Sequence, residues 1–115
     1  MDWTRLEQFR EFDDDALTMT REIISLFIKD APERSIALQT ALASNSSAAL
    51  SQAAHALKGS ASNIGASAMG DACALLEHAC LQGVWPPDAA SQVSQACALC
   101  PLTLAQLQHW LKSSR

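Results

Sequence analysis

The chain has 115 residues, a formal net charge of −4 and a hydrophobic content of 49 %. This size and composition are typical of one globular domain with a modest core. The eight Lys and Arg residues are scattered without a basic block, which argues against nucleic acid as the main partner. No apolar run reaches the roughly 18 residues that a membrane-spanning helix needs, so we expect no membrane contact by this domain. The N-terminus lacks the pattern of a signal peptide, which favours a cytoplasmic location.

The first half of the chain predicts a short helix followed by a long one. Thr4 and Glu7 have the spacing of a capping box, so we expect a short helix to start there. The acidic run from Asp13 to Asp15 is interpreted as a solvated turn. A second helix is expected at about 18–43, with a kink caused by Pro32.

The second half predicts three further helices at about 47–64, 66–82 and 87–112, with Gly65 ending the first of these. We expect Pro101 to bend the last helix without breaking it, because the apolar stripe keeps its phase across the proline. Amphipathic helices that are joined by short loops pack as antiparallel neighbours. The predicted fold class is therefore all-α: an up-down-up-down antiparallel four-helix bundle with a short N-terminal capping helix, formed as a single domain by the whole chain.

The four cysteines lie on the apolar faces of predicted helices. Cys73 and Cys80 are seven residues apart, and Cys97 and Cys100 fall on one stripe of the last helix. This placement favours buried free thiols that pack as small hydrophobic groups. Zinc or redox chemistry is the less favoured alternative, because the single C-x-x-C has no second pair.

The third helix carries an unusual set of residues on the face that points to water. Its apolar positions step by four and three, and His55 lies roughly 140° from the centre of that stripe. Lys58, Gly59 and Ser62 follow at three, four and seven positions and share the exposed face of His55. A glycine inside a helix costs about 1 kcal/mol relative to alanine. We interpret Gly59 as clearance that lets another protein approach the imidazole.

These residues resemble the signature of the histidine-containing phosphotransfer (HPt) family. The matching segment is His55-Ala56-Leu57-Lys58-Gly59-Ser60, followed by Gly65-Ala66, and the flanking segments 26–33 and 73–77 are similar to the family's neighbouring helices. The resemblance implies a phosphorelay intermediate in two-component signalling. A histidine of this family takes a phosphoryl group from the aspartate of one receiver domain and passes it to another receiver. Many members lie at the C-terminus of hybrid sensor histidine kinases, and others are free proteins.

Carried onto this chain, the resemblance makes His55 the phosphoacceptor. Lys58 would then assist with the phosphoryl charge, and Gly59 would give room to the docking receiver. The expected partner-binding surface comprises Ser51, Gln52, Ala56, Gly59 and Ser62. We expect no cofactor on this chain, because it has no ATP-binding motif and no evident acidic pocket. Mg²⁺ is expected on the partner receiver, and the domain alone should not act as a kinase.

Two other interpretations of the same surface stay open, a helical adaptor and a hydrolase. A helical adaptor would bind a partner enzyme or receiver domain without phosphotransfer. A relay domain can also hold a second regulated protein, so the relay and adaptor functions are not exclusive. A hydrolase with His55 as general base is less favoured, because no convincing nucleophile or orienting carboxylate is evident in the sequence. His78 and His109 fall off the apolar stripes and are interpreted as surface residues.

Overall fold

The computed structural model describes residues 1–14, 17–80, 83 and 85–113, and in this part of the chain all regular structure is helical. The helices are α1 (Thr4–Glu11), α2 (Thr18–Ala43), α3 (Ser47–Ile64), α4 (Ser67–Cys80) and α5 (Ala89–Ser113). The predicted all-α class is confirmed, and the predicted helix bounds agree closely with the observed ones. Residues 81 and 82, where the fourth helix was expected to end, lie outside the described residues.

The four long helices form a closed ring around the core. Helix α2 packs against α3 and α5, and α4 packs against the same two helices, while α1 contacts α2 and α3. The largest fully buried side chains are Leu6, Ile24, Leu38, Leu50, Leu57, Ile64, Met69, Leu76 and Leu107. Every helix contributes at least one of them, so the core depends on all five. The alternation of helix direction around the ring stays a prediction.

The two prolines lie inside continuous helices. Pro32 is within α2 and Pro101 is within α5, and each helix is assigned on both sides of its proline. The prediction that α5 is not broken at Pro101 is confirmed. None of the described helices is long and apolar enough to cross a membrane.

Helix α1 is attached to the end of α3 by its own N-terminal residues. The Asp2 N–H donates to the Gly65 carbonyl oxygen at 2.7 Å, and the Arg5 Nε donates to the Asn63 carbonyl oxygen at 3.3 Å. The predicted capping box is wrong, because Trp3 occupies the cap and makes no side-chain cap bond. Instead the Thr4 N–H donates to the Asp2 carboxylate at 3.0 Å. One acidic residue therefore caps α1 and links it to the turn that follows α3.

The acidic turn before α2 is a helix cap rather than only a solvated turn. The Asp13 carboxylate accepts from the backbone N–H groups of Asp14, Met19 and Thr20, at 2.8, 3.2 and 2.7 Å. Desolvation opposes ionisation of this group, but the hydrogen bonds from Thr20 and its neighbours outweigh it and lower the pKa of Asp13 to about 2. The predicted third member of this turn, Asp15, lies outside the described residues.

All four cysteines are free thiols, as predicted from their spacing. Cys73, Cys80 and Cys100 are buried, and Cys97 is half-buried. Burial, together with the nearby Cys97, raises the pKa of Cys73 to about 11. The Cys73 thiol therefore stays protonated near neutral pH, and the buried cysteines pack as apolar groups.

Replacing Asp13 by alanine should lower the Tm by several degrees at neutral pH, because three backbone N–H groups lose their acceptor. A carboxyl group with a lowered pKa in the folded state stabilises the fold above its ordinary pKa of 3.8. That stabilisation disappears as the pH falls through about 2. Circular-dichroism melts from pH 7 to pH 2 should therefore show the two proteins converging at the acidic end. Asp71→Ala, at an exposed α4 carboxylate, is the matched control and should leave the Tm nearly unchanged.

Gly65 ends α3 with φ of +83°, and a Cβ there would overlap the Asp2 carbonyl oxygen. Gly65→Ala should therefore lower the free energy of unfolding by more than about 1 kcal/mol, through backbone strain and displacement of α1. Urea denaturation followed by circular dichroism measures this change. An unchanged midpoint would contradict the described attachment of α1.

Candidate functional site

The third helix is oriented by its apolar face. Its start is capped by Ser46, whose hydroxyl accepts from the Ala49 N–H at 3.2 Å. Its buried residues are Leu50, Ala54, Leu57, Ala61 and Ile64, in the predicted spacing of four and three. The opposite face is turned to solvent, and His55 lies on it with 68 % of its side chain exposed.

The imidazole of His55 is hydrogen-bonded to a carboxylate from the next helix. Its Nδ1 lies 2.6 Å from Oε2 of Glu77, which projects from α4. The other carboxylate oxygen of Glu77 accepts from Lys58 Nζ, also at 2.6 Å. Glu77 therefore joins the exposed histidine to the half-buried lysine one turn later on α3. Only 16 % of the Glu77 side chain is exposed, so this bridge lies against the surface between α3 and α4.

This contact fixes which ring nitrogen of His55 is available for chemistry. The hydrogen bond from Lys58 lowers the pKa of Glu77 despite some desolvation, and the contact with His55 adds to the effect. Glu77 is therefore ionised near neutral pH, and an ionised carboxylate only accepts hydrogen bonds. The proton of the neutral ring then resides on Nδ1, and the lone pair resides on Nε2. Among the described residues Nε2 has no hydrogen-bond partner, and the ring is open to solvent.

Lys58 reaches the histidine through Glu77 rather than directly. Its ammonium has three N–H donors, one of which is directed to Oε1 of Glu77. The Lys58 side chain is 32 % exposed, so the other donors can meet an anion that arrives at the ring from solvent. This link through Glu77 was not predicted from the sequence.

Gly59 has open space around it. A Cβ built at Gly59 would meet no atom within 4 Å, so nothing within the described chain needs a glycine there. The residue is exposed one turn from His55, as its position in the sequence predicted. This agrees with the interpretation that Gly59 gives clearance to a partner.

The predicted partner-binding residues divide into two groups. Ala56, Gly59 and Ser62 line one groove of about 680 Å³ together with His55, and the wall opposite them belongs to α2. Ser51 is half-buried and Gln52 is exposed, and both lie outside that groove. Lys58 and Ser62 also border a second hollow, which lies among α1, α3 and α4.

Glu77 is the site residue that the sequence analysis missed. The expectation that the chain has no carboxylate to orient His55 is therefore wrong, because Glu77 is hydrogen-bonded to the ring. A signal for it exists in the chain: His55 and Glu77 each lie eleven residues from Ala66, which follows the turn at Gly65. Residues equidistant from the turn of an antiparallel helix pair lie opposite one another, so this spacing marks them as neighbours.

The two remaining histidines are isolated from this site. His78 and His109 are exposed, as predicted, and neither forms a hydrogen bond or ion pair with any residue that the structure describes. They are therefore natural controls for experiments on His55.

The open space at Gly59 yields a stability prediction. Gly59→Ala should raise the free energy of unfolding by up to about 1 kcal/mol, because alanine is the better helix former and its methyl group meets no neighbour. The same substitution at Gly65 should destabilise the protein, so the two glycine variants serve as controls for each other. Urea denaturation measures both variants, and a loss of stability in Gly59→Ala would contradict the described clearance.

Comparison with known proteins gives a family match and a structural match. The family model described as Hpt domain matches residues 22–114. The crystal structure of histidine-containing phosphotransfer protein B (HptB) from Pseudomonas aeruginosa PAO1 is similar, with a TM-score of 0.82 and 24 % sequence identity. The alignment covers 96 % of this chain and 93 % of that chain, so the likeness extends over the whole fold. No curated protein matches the chain.

Proposed function

Because the chain belongs to the Hpt domain family, we propose that it is a phosphorelay intermediate that carries a phosphoryl group on His55. It accepts the group from the aspartyl phosphate of one receiver domain and passes it to the aspartate of another. The observation that supports this proposal most directly is the exposed ring of His55. Its Nδ1 is hydrogen-bonded to Glu77, while its Nε2 is open to solvent.

The proposed transfer needs no proton to move during the chemical step. The Nε2 lone pair of His55 forms a bond to phosphorus while the bond from phosphorus to the aspartyl oxygen breaks, and the aspartate leaves as a carboxylate. The ring keeps its proton on Nδ1 and gains a positive charge, which the Glu77 carboxylate stabilises at 2.6 Å. The return step reverses these bond changes when the next receiver presents an ionised aspartate.

Charge stabilisation is shared between this chain and its partner. Phosphoryl transfer depends on alignment and on neutralising the phosphoryl oxygens more than on covalent assistance. Lys58 supplies one cation, since its free N–H donors lie within one helical turn of His55. We propose that the receiver supplies the Mg²⁺ together with its aspartate, and that this chain needs no cofactor and has no kinase activity alone.

The receiver is proposed to dock over the exposed face of α3. Gly59 lets the partner approach closely, and Ala56 and Ser62 extend the contact along the groove. Ser51 and Gln52 extend it toward the start of α3. Receivers exchange phosphoryl groups in the cytoplasm, so we propose that location, whether the domain acts as a free protein or within a hybrid sensor kinase.

A labelling experiment tests this function. Receiver domains phosphorylated with acetyl phosphate are mixed with the protein, and acid-labile label is measured on the wild type and on His55→Gln. We expect label on the wild type, none on His55→Gln, and full label on His78→Gln and His109→Gln. Label that survives in His55→Gln would refute the assignment. An unlabelled wild type across a panel of receivers would favour the adaptor function.

The role of Glu77 is tested separately by Glu77→Ala. Without the carboxylate, the ring loses its preferred tautomer and orientation, so the rate of transfer should fall roughly ten- to a hundredfold. Quench-flow kinetics measures the rate, and ¹⁵N NMR of the imidazole measures the tautomer directly. Glu33→Ala, at an exposed carboxylate of α2, is the matched control. An unchanged tautomer in Glu77→Ala would contradict this role.

A further inference from the structure

The groove beside His55 contains a cation that the proposed chemistry has not used. Arg34 lines this groove from α2, together with His55 and Gly59 on α3. The other charged residues that line it are Arg5 and Asp30. With two guanidinium groups against one carboxylate, the groove is locally positive in a chain whose net charge is −4. An anion that enters it is therefore favoured.

The residues that line two adjacent hollows indicate that Arg34 lies at the histidine end of the groove. A smaller hollow joins residues 23–30 of α2 to residues 60–64 of α3. Positions 26, 30 and 34 are successive turns of one face of α2, since four residues make about one turn. With α2 and α3 antiparallel, as the sequence predicts, the next turn of α2 lies beside the turn of α3 that carries His55 and Ala56. Arg34 is on that turn.

Arg34 has no partner among the described residues. Its Nε is shielded from solvent and has no hydrogen-bond acceptor, and the side chain takes part in no ion pair with any residue the structure describes. Asp30 lies one turn away on the same face, yet it does not form a salt bridge with Arg34 within the described chain. The Arg34 side chain is half-buried, and its terminal N–H groups have no acceptor among the described residues, so they can donate to an anion that enters the groove.

We propose that Arg34 is a second phosphoryl-binding residue, whose guanidinium holds the phosphoryl oxygens on His55 from the α2 side of the ring. This inference rests on the proposed function of His55. Glu77 contacts the same ring from the α4 side and accepts from Lys58, so the phosphoryl group would lie between two cations carried by different helices. A guanidinium fits this position because its planar set of N–H donors can bind two phosphoryl oxygens at once.

Chemical labelling tests this contact without a receiver. Phosphoramidate transfers its phosphoryl group to the neutral imidazole: its P–N bond breaks, ammonia leaves, and a new bond forms between phosphorus and Nε2. The pH at which the phosphoryl group takes up a proton is then followed by ³¹P NMR. A contacting guanidinium favours the dianion, so this pH midpoint should rise by about one pH unit in Arg34→Gln. Arg34→Lys should lie in between.

Lys29→Gln is the matched control for this titration. Lys29 is another cation of α2, but it lines a different groove, with Thr18 and Glu22. Its removal should leave the pH midpoint unchanged, and circular-dichroism melts should show that all variants are folded. If Arg34→Gln and the wild type titrate alike, Arg34 does not contact the phosphoryl group and the proposal is overturned.

Transfer kinetics provides the second measurement. With a receiver that labels the wild type, Arg34→Gln should slow transfer at saturating receiver roughly tenfold or more, and Lys29→Gln should not. A weaker apparent affinity with an unchanged maximal rate and an unchanged ³¹P midpoint would assign Arg34 to receiver docking and would overturn the proposal. If no receiver labels the wild type while phosphoramidate does, the relay function fails and the ³¹P titration still decides the role of Arg34.

Discussion

The candidate site depends on one carboxylate that lies between two helices. Glu77 on α4 accepts from His55 and from Lys58, with both contacts at 2.6 Å, so the residues that face a partner on α3 are held by a residue from its neighbour. The exposed ring would otherwise rotate freely and exchange its proton between two nitrogens. With Glu77 in place, one nitrogen is occupied and the other is presented outward. The packing of α3 on α4 therefore positions the candidate site as well as stabilising the fold.

The elements of the fold could be predicted from the sequence because their signals are local. The apolar spacing of α3, the cap at Ser46 and the left-handed Gly65 each depend on residues within a few positions of one another. The caps at the N-terminal ends of α1 and α2 were harder to predict. Asp2 and Asp13 accept from backbone groups that any sequence would supply, so no side-chain pattern marks Asp13 as the cap of a helix that begins five residues later.

The candidate site could be predicted only in part, because only some of its residues lie on a single helix. His55, Lys58 and Gly59 share one helical face, and that much follows from helix geometry alone. Glu77 contacts the ring from α4 and Arg34 lines the groove beside it from α2, so their positions depend on how three helices pack. The equal distances of His55 and Glu77 from Ala66 would have identified one of these contacts once the helix pair was assumed. For Arg34, the meaningful feature is the absence of a partner among the described residues, which only coordinates reveal.

The exposure of His55 has a further consequence for the lifetime of a stored signal. A ring that is 68 % exposed and borders an open groove admits water as readily as it admits a partner. The phosphorus–nitrogen bond would therefore stand in contact with solvent whenever no protein covers it, and hydrolysis would compete with forward transfer. Under the proposed function, a site with this geometry would hold its phosphoryl group only between one encounter and the next, and the concentration of nearby acceptors would determine what fraction of the signal survives.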